Sequence, residues 1–244
     1  MRLVPLAALG AAIVLLGCGP EVIGPRNSET ARLRLASTSP DAGSLDLLVN
    51  GRTVAQGIGS TAASAPAVVQ AGNATGQIRA SGTTTALASV PLTLAAGKSY
   101  TVLVAGPRSA LTAMVSVDTG SGLLPVPPPG QPVDSGNPPP PSPDVVRFRI
   151  MHAAPHAPPL DPYLLPAGAP LDTLPTLQPF AYGSLALTAD LIRGPGHYIV
   201  KFTDAGTTRV VLDSGDMDAR AGDLLTVVLG ENADQSLRVD VVRE

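Results

Sequence analysis

The chain has 244 residues, a formal net charge of −3, one cysteine and no tryptophan. Its Lys and Arg residues are scattered, so the basic footprint of a nucleic-acid binder is absent. With one cysteine no intrachain disulfide can form, and a fold must be held by apolar burial. Glycine and proline are abundant, at 25 and 26 residues. They punctuate short runs rich in Val, Leu and Thr, a pattern that favours β structure over helix.

The first element is a positive charge at Arg2 followed by an apolar run from Leu3 to Gly17. That run is shorter than the ~20 residues of a spanning helix and fits the h-region of a secretory signal. It closes on Leu15-Leu16-Gly17-Cys18, which resembles the lipobox of bacterial lipoproteins. The resemblance implies cleavage after residue 17, diacylglycerol on the Cys18 thiol, and membrane attachment through acyl chains. Each buried methylene contributes ~0.8 kcal/mol, so two or three chains anchor firmly. Gly19, and not Asp, follows the cysteine; by that family's sorting rule this implies the outer membrane of a two-membrane bacterium, on a face the sequence leaves open. Residues 18–30 then read as a tether.

From residue 31 the chain alternates with period two. In Ala31-Arg32-Leu33-Arg34-Leu35 the leucines are expected to face a core and the arginines water. Asn50-Gly51, between Leu47-Leu48-Val49 and Arg52-Thr53-Val54, signals a type I′ hairpin. Further strands are expected at Val68-Val69, Gln77 to Arg79, Leu87 to Leu94, Tyr100 to Val104 and Leu111 to Val117. Ser60 to Ala74, rich in Ala, Ser and Gly, reads as a loosely held loop around the first of these. Residues 119–144, with Pro127-Pro128-Pro129 and Pro138 to Pro141, form a semi-rigid polyproline spacer.

Beyond the spacer the first pattern returns. Val146-Arg147-Phe148-Arg149-Ile150 repeats the opening strand 115 residues on, and Leu160-Asp161 repeats Leu45-Asp46. Near the end Arg220-Ala221-Gly222 through Thr226-Val227 answers Ala95-Ala96-Gly97 through Thr101-Val102 at an offset of 125. The second half therefore carries about ten extra residues in its middle. A period this long marks a duplicated domain and not a solenoid. Strands are expected at His197 to Phe202, Arg209 to Leu212, Leu224 to Leu229 and Leu237 to Val242. The expected architecture is all-β: two tandem immunoglobulin-like β-sandwich domains, 31–118 and 145–244, joined by the Pro-rich linker. A closed barrel is the alternative.

Arg147 to Tyr163, with His152-Ala153-Ala154-Pro155 and Leu160-Asp161, then Phe180-Ala181-Tyr182-Gly183, and in the first half Leu94 to Gly97 with Tyr100-Thr101-Val102, carry a family pattern. They resemble the bacterial extracytoplasmic family known as domain of unknown function 4397, over roughly 31–118 and 145–242. The resemblance implies a β-sandwich on a secreted or surface protein and no particular reaction. Departures are Ser37 in place of His152, His156 where the family has Asp, and Leu225 where it has Tyr.

His152 and His156 are four apart, but Pro155, Pro158 and Pro159 exclude the helix that would pair them as metal ligands. A turn whose histidine bonds neighbouring backbone is the expected outcome, with Ser37 doing likewise. Asp213, Asp216, Asp218 and Asp223 miss the calcium-loop template, since Arg220 and Ala221 stand where a ligand and Gly are needed. No G-x-S-x-G elbow exists and His197 has no marked serine partner, so no enzyme, cofactor or metal site is expected. The reading is a lipid-anchored cell-envelope protein with a structural, adhesive or protein-interaction role. The alternative is a module binding envelope polysaccharide or peptide, for which Tyr163 and Tyr182 are the aromatic candidates.

Overall fold

The computed structural model describes residues 29–118, 144–171, 175–176, 179–183 and 191–244. The signal segment 1–17, Cys18, the tether up to residue 28 and the spacer 119–143 lie outside the described residues. The first half supplies β1 (Thr30–Ser37), β2 (Leu45–Val49), β3 (Arg52–Ile58), β4 (Ala62–Ala63), β5 (Ala67–Gln70), β6 (Gly72–Ala80), β7 (Ala86–Leu94), β8 (Ser99–Ala105) and β9 (Thr112–Asp118). The second supplies β10 (Val146–His152), β11 (Leu160–Pro166), β12 (Leu191–Arg193), β13 (Gly196–Asp204), β14 (Val210–Asp213), β15 (Met217–Ala219), β16 (Leu224–Glu231) and β17 (Leu237–Arg243). A single turn of 3-10 helix, Arg108–Ala110, precedes β9. Among the described residues no helix is long and apolar enough to cross a membrane.

The strands form four open sheets, not barrels. In the first half β4 and β5 flank β1, followed by β8 and β9, and the facing sheet runs β3–β2–β6–β7. The second half pairs β12–β10–β16–β17 against β11–β13–β14, with β15 also on β13. Both halves place their opening strand parallel to a late one. Arg34 on β1 lies opposite Thr101 on β8, and Arg149 on β10 opposite Thr226 on β16. All other named pairings are antiparallel.

Local chemistry explains the hairpins. Asn50 and Gly51 both adopt positive φ, 48° and 81°, so that Val49 pairs with Arg52 across the two-residue turn. A second turn is common to both halves. Thr83 donates from N–H and hydroxyl to Ala80 O after β6, and Thr207 does the same to Asp204 O after β13. The equivalent offset here is 124, which puts the extra residues of the second half before β13.

Period-two alternation fills one core per half. Leu33, Leu35, Leu45, Leu47, Ile78, Leu92 and Val102 are buried together in the first. Phe148, Ile150, Leu160, Val200, Phe202 and Val227 fill the second, where Phe148 meets Tyr198 edge-on with centroids 5.1 Å apart. A third apolar cluster joins the halves. Ala36, Leu103 and Ala105 from β1 and β8 pack on Met151, Ala153, Val228 and Val242 from the second half. The outer faces of the two parallel-paired sheets therefore meet, giving a stack of four sheets.

Two expectations change here. Arg34 and Arg149 do alternate away from their own cores, yet the face they occupy is covered by the other half and not by water. Ser60 to Ala74, expected as a loose loop around a strand at Val68-Val69, holds β4 and the start of β6 besides that strand, β5. Small side chains there weaken the apolar signal, while the backbone pairs with β1 regardless.

Candidate functional site

The most densely bonded side chains lie between the two halves. Arg34 Nε donates to the Thr101 hydroxyl at 2.9 Å, and Nη2 reaches Asp118 Oδ2 at 2.8 Å and Glu244 Oε2 at 3.0 Å. Arg149 Nη2 donates to Asp118 Oδ1 at 2.9 Å, and Nη1 to the Ser116 hydroxyl at 3.1 Å, with Glu244 Oε1 3.7 Å away. The Thr226 hydroxyl donates to Glu244 at 2.5 Å. Each half contributes one arginine and one carboxylate, so the cluster is neutral. Its members occupy matching places: β9 brings Asp118 opposite Ser99, and Glu244 N–H donates to Leu224 O at the equivalent point. Burial is deep, with the Arg149 side chain 5% and that of Glu244 0% exposed. Such a set persists only when charges and hydrogen-bonding groups are both matched.

Two further contacts extend this junction. Arg238 Nη2 donates to Thr38 O at 2.6 Å while pairing with Asp240. The Tyr182 hydroxyl donates to that of Thr112 at 3.0 Å. Burial pushes the Asp240 carboxyl up from its usual range, with Arg238 opposing.

His152 is fully buried at the end of β10. Ala154 N–H donates to its Nδ1 at 3.4 Å, which leaves the Nε2 proton facing Pro158 O, also at 3.4 Å. Burial lowers its pKa below 6.5, against the Pro158 carbonyl, its own backbone and the Glu231 charge. At the matching position Ser39 N–H donates to Ser37 Oγ at 3.4 Å, so both side chains serve the same turn, as expected from the sequence. His156 does not join His152. Its N–H and Nδ1 both meet the buried Glu231 carboxylate, at 3.2 and 2.8 Å.

The four aspartates of the acidic stretch also go separate ways. Asp213 accepts from Gly215 N–H, Asp216 meets His197, Asp218 meets Arg220, and Asp223 accepts from Arg220 N–H and pairs with Arg243. The Arg220 hydrogen bond holds the Asp218 carboxyl below its usual range. Among the described residues no group of three or more His, Cys, Asp or Glu is placed to hold a metal ion.

The repeated Leu-Asp pair positions a buried carboxylate on the outer face of each second sheet. Asp46 accepts from Gly57 N–H at 2.8 Å and the Ser81 hydroxyl at 2.5 Å; Asp161 accepts from Gly206 N–H at 2.6 Å. Both pin the turns beside their strands. Tyr163 is only 2% exposed and offers no aromatic platform, whereas Tyr182 is 40% exposed. The ion cluster was missed because arginine alternating with leucine reads as a solvated face. The signal was the repeat itself, which places Arg34 and Arg149 at matching positions.

An all-β sandwich protein with an ion-paired seam is thus defined. Residues 31–125 match the family described as "Domain of unknown function (DUF4397)", which supports the resemblance read from the sequence for the first half. No curated protein matches the chain. A crystal structure described as "Putative cell adhesion protein from Parabacteroides distasonis ATCC 8503" aligns over 88% of this chain and 99% of its own, at 10% identity and a TM-score of 0.23. A likeness at that level has no bearing on what this chain does.

Proposed function

We propose that the protein is a lipid-anchored component of a bacterial cell envelope, built from two copies of the same sandwich domain, with a structural, adhesive or protein-interaction role. The observation that carries this reading is the seam. Arg34 and Arg149, which alternate away from their cores, are spent on docking the halves, and the histidines and acidic residues singled out from the sequence serve turns and local ion pairs. A stiff pair of sandwiches on a tether suits presentation of surfaces, and that role requires no reaction and no cofactor. The lipobox-like Leu15-Leu16-Gly17-Cys18 and the Pro-rich spacer support placement outside the cytoplasm, on a membrane.

The test uses cell fractionation and cross-linking. Parent protein should pellet with membranes, and a Cys18→Ala variant should leave them. Photo-cross-linkers placed on exposed strands of the intact protein should capture envelope proteins in living cells. Parent chain in the soluble cytoplasmic fraction, or no envelope protein captured from any face, overturns the reading.

A further inference from the structure

Sheet margins recruit strands from other chains unless something prevents it. Several margins here carry such devices. β7 contains Pro91, and β3 is bulged against β2. β11 contains Pro162, and its open side is occupied by Thr176, whose N–H donates to Pro162 O and whose hydroxyl accepts from Leu164 N–H. β17 carries Arg238, Asp240 and Arg243. β5, with the sequence Ala67-Val68-Val69-Gln70, has no charge, no internal proline and no bulge against β1.

Register shows which of its groups are free. Ala71 N–H donates to Glu29 O at 2.7 Å, so the ladder bonds fall on the pairs Ala31–Val69 and Leu33–Ala67. The backbone groups of Val68 and Gln70 therefore point away from β1, and β5 pairs with no other strand among the described residues. A cleft of about 470 Å³ runs along this margin between β5 and the β2–β3 hairpin, lined by Val49, Arg52, Val54, Val68, Val69 and Gln70. Val68 is 69% exposed, more than any other large apolar side chain described.

Charge surrounds that valine on both sides. Arg32 lies in register with Val68 on the outer face, Lys98 closes the same corner, and Arg52 stands across the cleft. All three are exposed, and no side chain of the three has a hydrogen bond or ion pair among the described residues. The imbalance extends further: residues 29–118 hold six Lys and Arg against four Asp and Glu, while 144–244 hold eight against thirteen.

We propose that the β5 margin is a docking site for an extended acidic segment of a partner protein, which adds to the first sheet as a further strand. Its inward side chains would be apolar, resting on Val49, Val54 and Val69, and its outward ones acidic, facing Arg32 and Lys98. A peptide backbone fits because the N–H and C=O groups of Val68 and Gln70, unused among the described residues, recur at the two-residue spacing of a strand. The inference deepens the interaction role proposed above and rests on it, and it is independent of lipid on Cys18.

The probe is a fluorescent synthetic peptide of alternating Val and Glu, titrated against the full chain in detergent and followed by anisotropy. A Val/Lys peptide should bind at least about tenfold more weakly, and low salt should widen the gap. N-methylation of alternate amides along one edge should weaken binding at least about tenfold, and along the other edge much less, as strand addition requires. Val68→Pro removes an outward N–H that β1 does not use, so it should abolish binding while leaving the thermal midpoint near that of the parent. Arg32→Gln, Arg52→Gln and Lys98→Gln together should remove the preference for Glu over Lys. Absence of saturable binding, equal binding by both N-methylated peptides, or a Val/Lys peptide as tight as Val/Glu overturns the proposal. Cross-links to envelope proteins from other faces, with no peptide binding at β5, would sink this inference and leave the interaction role standing. Peptide binding with no envelope protein captured anywhere would do the reverse.

Discussion

Replacing Arg149 with methionine isolates the ion cluster at the seam. The substitution keeps most of the side-chain volume but removes the guanidinium that bonds Asp118 at 2.9 Å and Ser116 at 3.1 Å. Arg34 is then left to face two carboxylates, 2.8 and 3.0 Å from its Nη2, in a site largely shielded from water. An uncompensated buried charge of this kind costs about 3–5 kcal/mol, against a total stability on the order of 5–15 kcal/mol. Adding Glu244→Leu restores neutrality and offers an apolar surface next to Val242. The double variant should return to within about 2 kcal/mol of the parent, since well-packed apolar replacements of buried pairs are often neutral or better. Urea unfolding followed by circular dichroism measures both differences, with a constant slope confirming that each transition exposes the same surface. A single variant within about 1 kcal/mol of the parent, or a double variant worse than the sum of its parts, would refute the reasoning.

Other consequences can be checked alongside. His152 is held below pKa 6.5 by burial, so above that value folded and unfolded states are both neutral there; as pH falls from 7 to 5 the unfolded chain takes up the proton first and stability drops. The stability gap between the parent and His152→Gln should therefore narrow over that range, and a gap independent of pH contradicts the burial argument. Asp161→Ala leaves Gly206 N–H without its 2.6 Å acceptor and should lower unfolding free energy by about 1–3 kcal/mol, measurable in urea. Gly51→Ala forces a side chain onto a φ of 81° and should destabilise the Asn50-Gly51 hairpin by about 1 kcal/mol, visible as faster amide exchange along β2 and β3.

Elements with strong local chemistry were legible. Asn50-Gly51 determined its hairpin, the alternation of apolar residues with Arg fixed the core faces of β1 and β10, and the repeat matched β1 with β10 and β8 with β16, though not the parallel pairing that joins each opening strand to the late one. Elements held by backbone alone were not. β4 consists of two alanines, which carry little apolar signal, whereas β5 was legible at Val68-Val69, inside a stretch otherwise read as loop. β15 lies inside the acidic stretch, where Met217 and Ala219 turn inward between charged neighbours. The seam escaped for a different reason. Period two says which side chains leave a core but not what covers them, and an arginine paired across a buried face has the same pattern as one in water. Asp118 and Glu244, 126 residues apart, reveal their common role only once the sheets have met.

Mass spectrometry of the mature N-terminus, on protein purified from its native membranes, tests the central claim most directly. The account predicts a chain that starts at Cys18 and carries two or three acyl chains on that residue. An unacylated chain with residues 1–17 still attached, or cleaved at some other bond, would contradict it.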